Sequence, residues 1–184
     1  MRQLVILFLV MPILFWGCSG TSSANDFKVK GLYIGMDMDD ACKIVNQLVN
    51  STEVSKVAFE PGSHASQAGY LCQYPQNSRS NPQIYVISNL VNKVTAIVIS
   101  SELTPTLFNA NGIEAEDFAK QFMDSYHLPK MDPWTNDMTD TYSMALVGLY
   151  GWEYVSPNGF KVAVSQSKGI MITAIPKKSD ESFN

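Results

Sequence analysis

The sequence predicts an α+β protein made of two similar units, each with one helix packed on a three-stranded antiparallel sheet. First, residues 35–43 and 112–120 share the order glycine, apolar, acid, apolar, acid, Asp, apolar, small, Lys. Second, each copy has the apolar period of a helix. Third, each helix is followed by three strand-like runs. A segment that repeats in this way indicates two copies of one supersecondary unit.

Both predicted helices carry apolar side chains at steps of three and four, which is the period of an amphipathic helix. These side chains are Met38, Ala41, Cys42, Val45, Leu48 and Val49 in the first copy, and Ala115, Phe118, Ala119, Phe122, Met123 and Tyr126 in the second. Each helix therefore has one apolar face that can pack on a sheet.

Three aspartates, Asp37, Asp39 and Asp40, crowd the first turn of the first helix. Their spacing is similar to that of an acidic calcium loop, but no central glycine and no later bidentate glutamate completes an EF-hand. Carboxylates at a helix start instead favour the positive end of the helix dipole, and Asp37 is placed to cap free backbone N–H groups. We predict helix capping, with no metal site and no cofactor.

The strand-like runs follow each helix in the same order. They are residues 70–74, 84–88 and 93–100 in the first copy, and 150–154, 160–166 and 170–175 in the second. Strand alternation directs Tyr70, Cys72 and Tyr74 towards the helix and sends Leu71 and Gln73 to the opposite face. Glu153 takes the same opposite face in the second copy. Either a partner or the other unit could cover that face.

Cys42 and Cys72 are predicted to form a disulfide. The repeat aligns Cys42 with Ala119 and Cys72 with Trp152. A small helix residue opposite a large strand residue is what close packing requires, so the equivalent cysteines should also face each other. In an oxidising exported compartment this predicts a bridge that closes a loop of about 30 residues. Two buried free thiols are the alternative.

The first residues of the chain have the pattern of an export signal. Arg2 precedes an apolar run over residues 4–16, which ends in Gly17-Cys18. The run has 13 residues, whereas a membrane-spanning helix needs about 20. We therefore predict a signal peptide over residues 1–17 rather than a transmembrane helix.

A cysteine directly after such a run resembles the lipobox of bacterial lipoproteins, in which the cysteine is acylated and becomes the first mature residue. The resemblance implies a lipid anchor on Cys18, and Ser19 after it implies the outer membrane. Several acyl chains, at about 0.8 kcal/mol per buried methylene, would hold the protein permanently on a membrane. The alternative is cleavage after Ala24 by the small-x-small pattern of an ordinary signal peptide, which would release a soluble protein.

The remaining chain divides into segments by composition. We predict a lipidated cysteine with a flexible tether over 18–26, a first unit over 27–101, a second over 102–176 and a frayed tail over 177–184. The net charge is −4 for the whole chain and −5 without residues 1–17, which hold Arg2. A mildly acidic domain lacks the basic footprint of nucleic-acid binding.

The glycine-apolar-acid start of the first helix, Gly35-Met36-Asp37, followed by a three-stranded sheet in an exported lipoprotein, resembles the small outer-membrane assembly lipoproteins of the SmpA/OmlA type. The tandem arrangement resembles the β-lactamase inhibitor proteins, which pair two helix-plus-sheet units into a concave sheet that grips another protein. These resemblances imply a binding module rather than a catalyst. No partner-binding residue is carried over from either family.

The sequence lacks four motifs that mark common enzyme classes. These are the Gly-x-Ser-x-Gly nucleophile elbow, the zinc-binding His-Glu-x-x-His helix, the phosphate-binding glycine loop and the dinucleotide-binding fingerprint. We therefore predict a non-enzymatic envelope lipoprotein that binds another protein through its sheet face or through residues 128–141. The candidate contact residues are Leu71, Gln73 and Glu153 on the sheet, and Met131, Trp134 and Met138 in the segment. Alternatively, Trp134 packs into its own core. The alternative function is a binder of a small envelope ligand, such as a lipid or glycan fragment, in a cleft between the units.

Overall fold

The computed structural model describes residues 27–61, 67–76, 82–135 and 150–175. Within them, three helices lie at Met38–Leu48 (α1), Thr104–Phe108 (α2) and Ala115–Ser125 (α3). The strands are Val57–Phe59 (β1), Gly69–Tyr74 (β2), Ile84–Asn89 (β3), Val94–Ile99 (β4), Asp132–Thr135 (β5), Tyr150–Ser156 (β6), Phe160–Ser165 (β7) and Ile170–Ala174 (β8). The predicted signal peptide, lipidation site, tether and tail all lie outside the described residues.

All eight strands form one antiparallel sheet in the order β1-β2-β3-β4-β8-β7-β6-β5. The prediction of two α+β units, each with a helix on its own three-stranded sheet, is therefore wrong. Each half of the chain contributes four strands, and β4 pairs with β8 from Ala96↔Thr173 to Ile99↔Ile170. This pairing joins two strands that would otherwise expose unpaired backbone groups at a sheet edge.

The two strands that the sequence pattern did not indicate are the edge strands β1 and β5. β1 has only three residues, and β5 contains Pro133, which cannot donate a hydrogen bond to a sheet ladder. Both segments are therefore too short or too irregular to show a strand period. Their position at the edges of the sheet is where short strands and proline are tolerated.

The helices pack on one side of the sheet, here called the first face. Val45 of α1 and Phe118 and Phe122 of α3 share a single buried core with strand residues such as Val86 and Ile172. Fully burying an apolar side chain of this size contributes roughly 1.5–3 kcal/mol, so this core is the main source of stability. The predicted apolar faces of both long helices are confirmed.

Helix α1 begins as its sequence predicts. Asp37 has extended backbone angles and its Oδ1 accepts a hydrogen bond from the Asp39 N–H at 3.0 Å. A side chain that caps a helix in this way typically contributes about 1 kcal/mol.

A disulfide joins Cys42 on α1 to Cys72 on β2, as predicted. The two Cα atoms are 5.7 Å apart, a usual separation for a bridged pair. Cys42 is 7 % exposed and Cys72 is fully buried. The bridge therefore lies inside the core and fastens α1 to the sheet.

The opposite side of the sheet, here called the second face, is also apolar. The predicted alternation along β2 is confirmed, because Tyr70, Cys72 and Tyr74 belong to the core on the first face and Leu71 belongs to a separate apolar cluster. A sheet with only one packed face would alternate apolar and polar side chains. The second face departs from that pattern.

Among the described residues, no helix is both long enough and apolar enough to cross a membrane.

Candidate functional site

The second face carries an apolar strip that crosses most of the sheet. The strip consists of Phe59, Leu71, Tyr85, Ile87, Val98, Ala163 and Met171, with Ala96 packed against it. These residues come from β1, β2, β3, β4, β7 and β8, and each of the seven is at most 9 % exposed. Within the described part of the chain, every member of this cluster is a strand residue, whereas the helices pack on the first face.

Exposed apolar and polar side chains flank the strip on both sides. Val57 on β1 is 49 % exposed and Val155 on β6 is 55 % exposed. Val57 pairs with Leu71, and Val155 pairs with Lys161. Strand pairing places paired residues on the same face of a sheet. The second face therefore has a buried apolar centre and accessible valines near two opposite edges.

An ion pair lies on the β6 side of this face. Glu153 Oε2 is 3.5 Å from Lys161 Nζ, and the two side chains are 26 % and 32 % exposed. The same carboxylate oxygen is buried and accepts no hydrogen bond. Charge-assisted hydrogen bonds usually measure about 2.7–2.9 Å, so this contact is an electrostatic pairing rather than a hydrogen bond.

The structure places the three candidate residues of the sheet on the second face but does not bring them together. Leu71 is buried in the apolar strip at 7 % exposure. Gln73 is half-buried, and its Nε2 donates to the Gln76 carbonyl at 2.8 Å. Four strands separate β2 from β6, which carries Glu153. Five strand spacings of about 4.8 Å therefore place Glu153 about 24 Å from Leu71 and Gln73 across the sheet.

The candidate residues of the 128–141 segment have three different outcomes. Met131 is 4 % exposed and belongs to the core of the first face, so its side chain offers no surface to a partner. The backbone of Trp134 lies in β5 opposite Gly151. Met138 lies outside the described residues. Within the segment, Asp132–Thr135 form the edge strand β5.

One network that the sequence analysis missed joins the start of α1 to the β3–β4 hairpin. Asn92 Nδ2 donates to both carboxylate oxygens of Asp37, at 3.1 and 3.0 Å, and to Asp39 Oδ2 at 3.1 Å. Lys56 Nζ donates to Asp39 at 2.9 Å and to Asn92 Oδ1 at 3.1 Å. The hydrogen bonds from Lys56 and from Asn92 lower the pKa of Asp39. The local signal was the Asn89-Leu-Val-Asn92 turn, whose asparagines are typical turn residues.

A small pocket lies beside α2 and α3. Its volume is about 180 Å³, and its lining includes Lys30, Phe108, Phe122 and Tyr126. Lys30 Nζ is 4.8 Å from the centre of the Phe108 ring, a cation–π contact. Burial raises the pKa of Tyr126, and a hydrogen bond from the Lys30 backbone opposes that effect. The pocket combines aromatic walls with one cation at its rim.

In the described ranges, no group of three or more histidine, cysteine, aspartate or glutamate side chains is arranged to hold a metal ion. Asp37 and Asp39 instead direct their carboxylates to Asn92 and Lys56.

No protein-family model, no curated protein and no solved structure matches the chain.

Proposed function

We propose that this chain is a non-enzymatic bacterial envelope lipoprotein, held on the outer membrane through Cys18, that binds another protein across the second face of its sheet. The observation that carries the proposal is the pair of accessible apolar side chains on that face, Val57 at 49 % and Val155 at 55 % exposure, on strands near its two edges. Protein interfaces combine apolar side chains of this kind with polar neighbours. Gln73 and the Glu153–Lys161 pair supply polar groups on the same face.

The dimensions of the second face also favour a protein partner. Eight strands at about 4.8 Å spacing make a sheet about 34 Å wide, and strands of six residues are about 20 Å long. The outline of the face is therefore about 700 Å², an extent that only a large partner can span, although the buried strip at its centre offers little accessible area. A small ligand would need an enclosed cavity rather than a broad face.

Direct contacts on this face fall on its outer strands. The strip residues are at most 9 % exposed, so their side chains add little accessible area. Val57 and Val155 lie on β1 and β6, six strand spacings apart, which corresponds to about 29 Å. A partner that touches both must span most of the sheet, which a folded protein does and a small ligand does not.

Site-specific photo-crosslinking tests this proposal. A benzoylphenylalanine is introduced at position 57 or position 155 of the full chain, expressed in its native host. Controls carry the same group at Gln47 on α1 or Asp124 on α3, which are exposed on the helical side. We expect one and the same protein adduct from positions 57 and 155 and none from the helices. Equal labelling from all four positions, or no adduct at all, would refute binding across the second face.

The lipid tether is tested separately by Cys18→Ala. We expect the wild-type chain in the membrane fraction, with a mass that includes acyl chains on Cys18, and the variant in an unprocessed or soluble form. A soluble wild-type chain that begins at Asn25 would support the alternative cleavage after Ala24.

A second candidate function, binding of a small acidic amphiphile, is favoured by the pocket beside α2 and α3. Its aromatic walls suit a short acyl chain and the Lys30 ammonium suits a carboxylate. Calorimetric titration with hexanoate and with uncharged hexanol tests this candidate. Hexanoate should bind the wild type more tightly than hexanol does, and Lys30→Gln should remove that difference.

A further inference from the structure

The tip of the β3–β4 hairpin is unusually apolar for a turn. Leu90 is 66 % exposed and Val91 is 72 % exposed, the two highest values among the large apolar side chains of the described residues. Turns normally carry Gly, Asn, Asp or Ser at such positions, and β-branched residues like Val91 are better suited to strands. Because both side chains are largely exposed, they bury little apolar surface in the fold. Folding alone therefore does not explain why apolar residues occupy these two positions.

The β7–β8 hairpin provides an internal comparison, because its backbone follows the same course. The equivalent positions are Asn89, Asn92 and Lys93 in the first hairpin and Ser165, Lys168 and Gly169 in the second. The Asn92 N–H donates to the Asn89 carbonyl at 3.1 Å, and the Lys168 N–H donates to the Ser165 carbonyl at 2.9 Å. Asn89 Oδ1 accepts the Lys93 N–H, and Ser165 Oγ accepts the Gly169 N–H, both at 2.9 Å. Asn92 and Lys168 both have positive φ, 63° and 70°.

The two hairpins differ in the residues at their tips. Where the first hairpin has Leu90-Val91, the second has the exposed polar pair Gln166-Ser167. The shared geometry shows that polar residues are compatible with this turn. The apolar pair is therefore a property of the first tip alone, and an exposed apolar element without a folding reason indicates a binding function.

The tip is hydrogen-bonded to the start of α1. The Asn92 carbonyl accepts the Met38 N–H at 2.9 Å, and the Asn92 side chain donates to Asp37 and Asp39. A pre-ordered element loses less conformational entropy when it binds. Leu90 and Val91 are therefore presented on a fixed support rather than on a loose loop.

The charges around the tip indicate whether it contacts a protein or a membrane. Three lysines and three aspartates form three ion pairs: Lys43–Asp40 at 2.9 Å, Lys56–Asp39 at 2.8 Å and Lys93–Asp37 at 4.0 Å. Binding to an anionic lipid surface needs a surplus of basic residues. The balanced pairs leave no such surplus among them, so the surroundings of the tip favour a protein pocket.

We propose that Leu90 and Val91 insert into an apolar pocket of the protein partner, as a second contact beside the second face. This inference rests on the proposed function, because it requires a protein partner. Small clusters of buried side chains often dominate binding energy, and burial of these two predicts an affinity about 30- to 100-fold higher than with polar replacements.

The test replaces the tip residues of the β3–β4 hairpin with those of the β7–β8 hairpin, as Leu90→Gln/Val91→Ser in the full chain. The partner identified from positions 57 and 155 is purified, and its Kd is measured for the wild type and for this variant. The control is Gln166→Ala, which changes the other hairpin; Ser167 is kept because its Oγ is hydrogen-bonded to Ser165 Oγ at 2.8 Å. We expect weaker binding by about 30- to 100-fold for the first variant and no change for the control. Both variants should keep the wild-type urea midpoint, because the replaced side chains are exposed.

The outcomes separate this inference from the proposed function. If the partner binds the tip variant as tightly as the wild type, the tip inference fails while the proposed function stands. If no partner is found from positions 57 and 155, both fail. If the tip variant instead loses binding to vesicles of phosphatidylethanolamine and phosphatidylglycerol and keeps its protein affinity, the tip contacts lipid and the inference is overturned.

Discussion

Removal of the Cys42–Cys72 disulfide should destabilise the protein strongly. The bridge joins residues 30 positions apart, and loop-closure entropy for a loop of that length corresponds to about 3.6 kcal/mol at 25 °C. Native domains have unfolding free energies of about 5–15 kcal/mol, so this is a quarter or more of the total. Because both cysteines are buried in the core, the loss affects the packing of α1 on β2 as well as the unfolded chain.

The measurement is urea unfolding of the mature protein, compared with Cys42→Ala/Cys72→Ala. With a slope of about 2 kcal/mol per molar urea, the midpoint should fall by about 1.8 M. The control is wild-type protein reduced while unfolded and then kept reduced, which removes the bridge and retains both sulfurs. A similar fall in both samples assigns the effect to the cross-link. If the midpoint of the reduced wild type stays within about 0.3 M of the oxidised protein, the entropy argument is wrong.

Two further predictions concern the sheet and the hairpin network. Gly151→Ala should lower the unfolding free energy by at least about 2 kcal/mol, because a β-carbon there would collide with the Val164 carbonyl; an unchanged urea midpoint would contradict this. The pKa of Asp39 lies below its usual value because Lys56 and Asn92 hydrogen-bond the carboxylate. Its ionised form therefore contributes stability at neutral pH, and that contribution disappears as the pH falls below about 4. Asp39→Asn should flatten the loss of stability as the pH falls below about 4, measured by thermal unfolding, and a parallel shift of the whole curve would refute the assignment.

The sequence predicted the local elements well because their signals are carried by near neighbours. The apolar steps from Met38 onward defined α1, and the alternation from Tyr70 to Tyr74 defined which side chains of β2 face the helix. The comparison of Cys42 with Ala119 predicted the disulfide, because packing against a helix restricts the residues that can face each other.

The sequence predicted the candidate site less well than it predicted the local elements. Met131 stands in a segment without clear periodicity, and only the structure shows that its side chain belongs to the core. Leu71 lies on the expected face, but its burial depends on neighbours from strands distant in the chain. The exposed pair Leu90 and Val91 has no sequence signature beyond apolar residues in a turn, because exposure is a property of the whole fold.

By itself, the sequence determined the apolar faces of α1 and α3, the cap at Asp37 and the pairing of Cys42 with Cys72. Only the tertiary structure decided that the strands form one sheet, through the pairing of Ala96 to Ile99 with Ile170 to Thr173. Backbone N–H and C=O groups are the same in every strand, so a strand sequence does not state its partner when the two are far apart in the chain. That one long-range pairing fixes the width of the sheet, and therefore the extent of its second face.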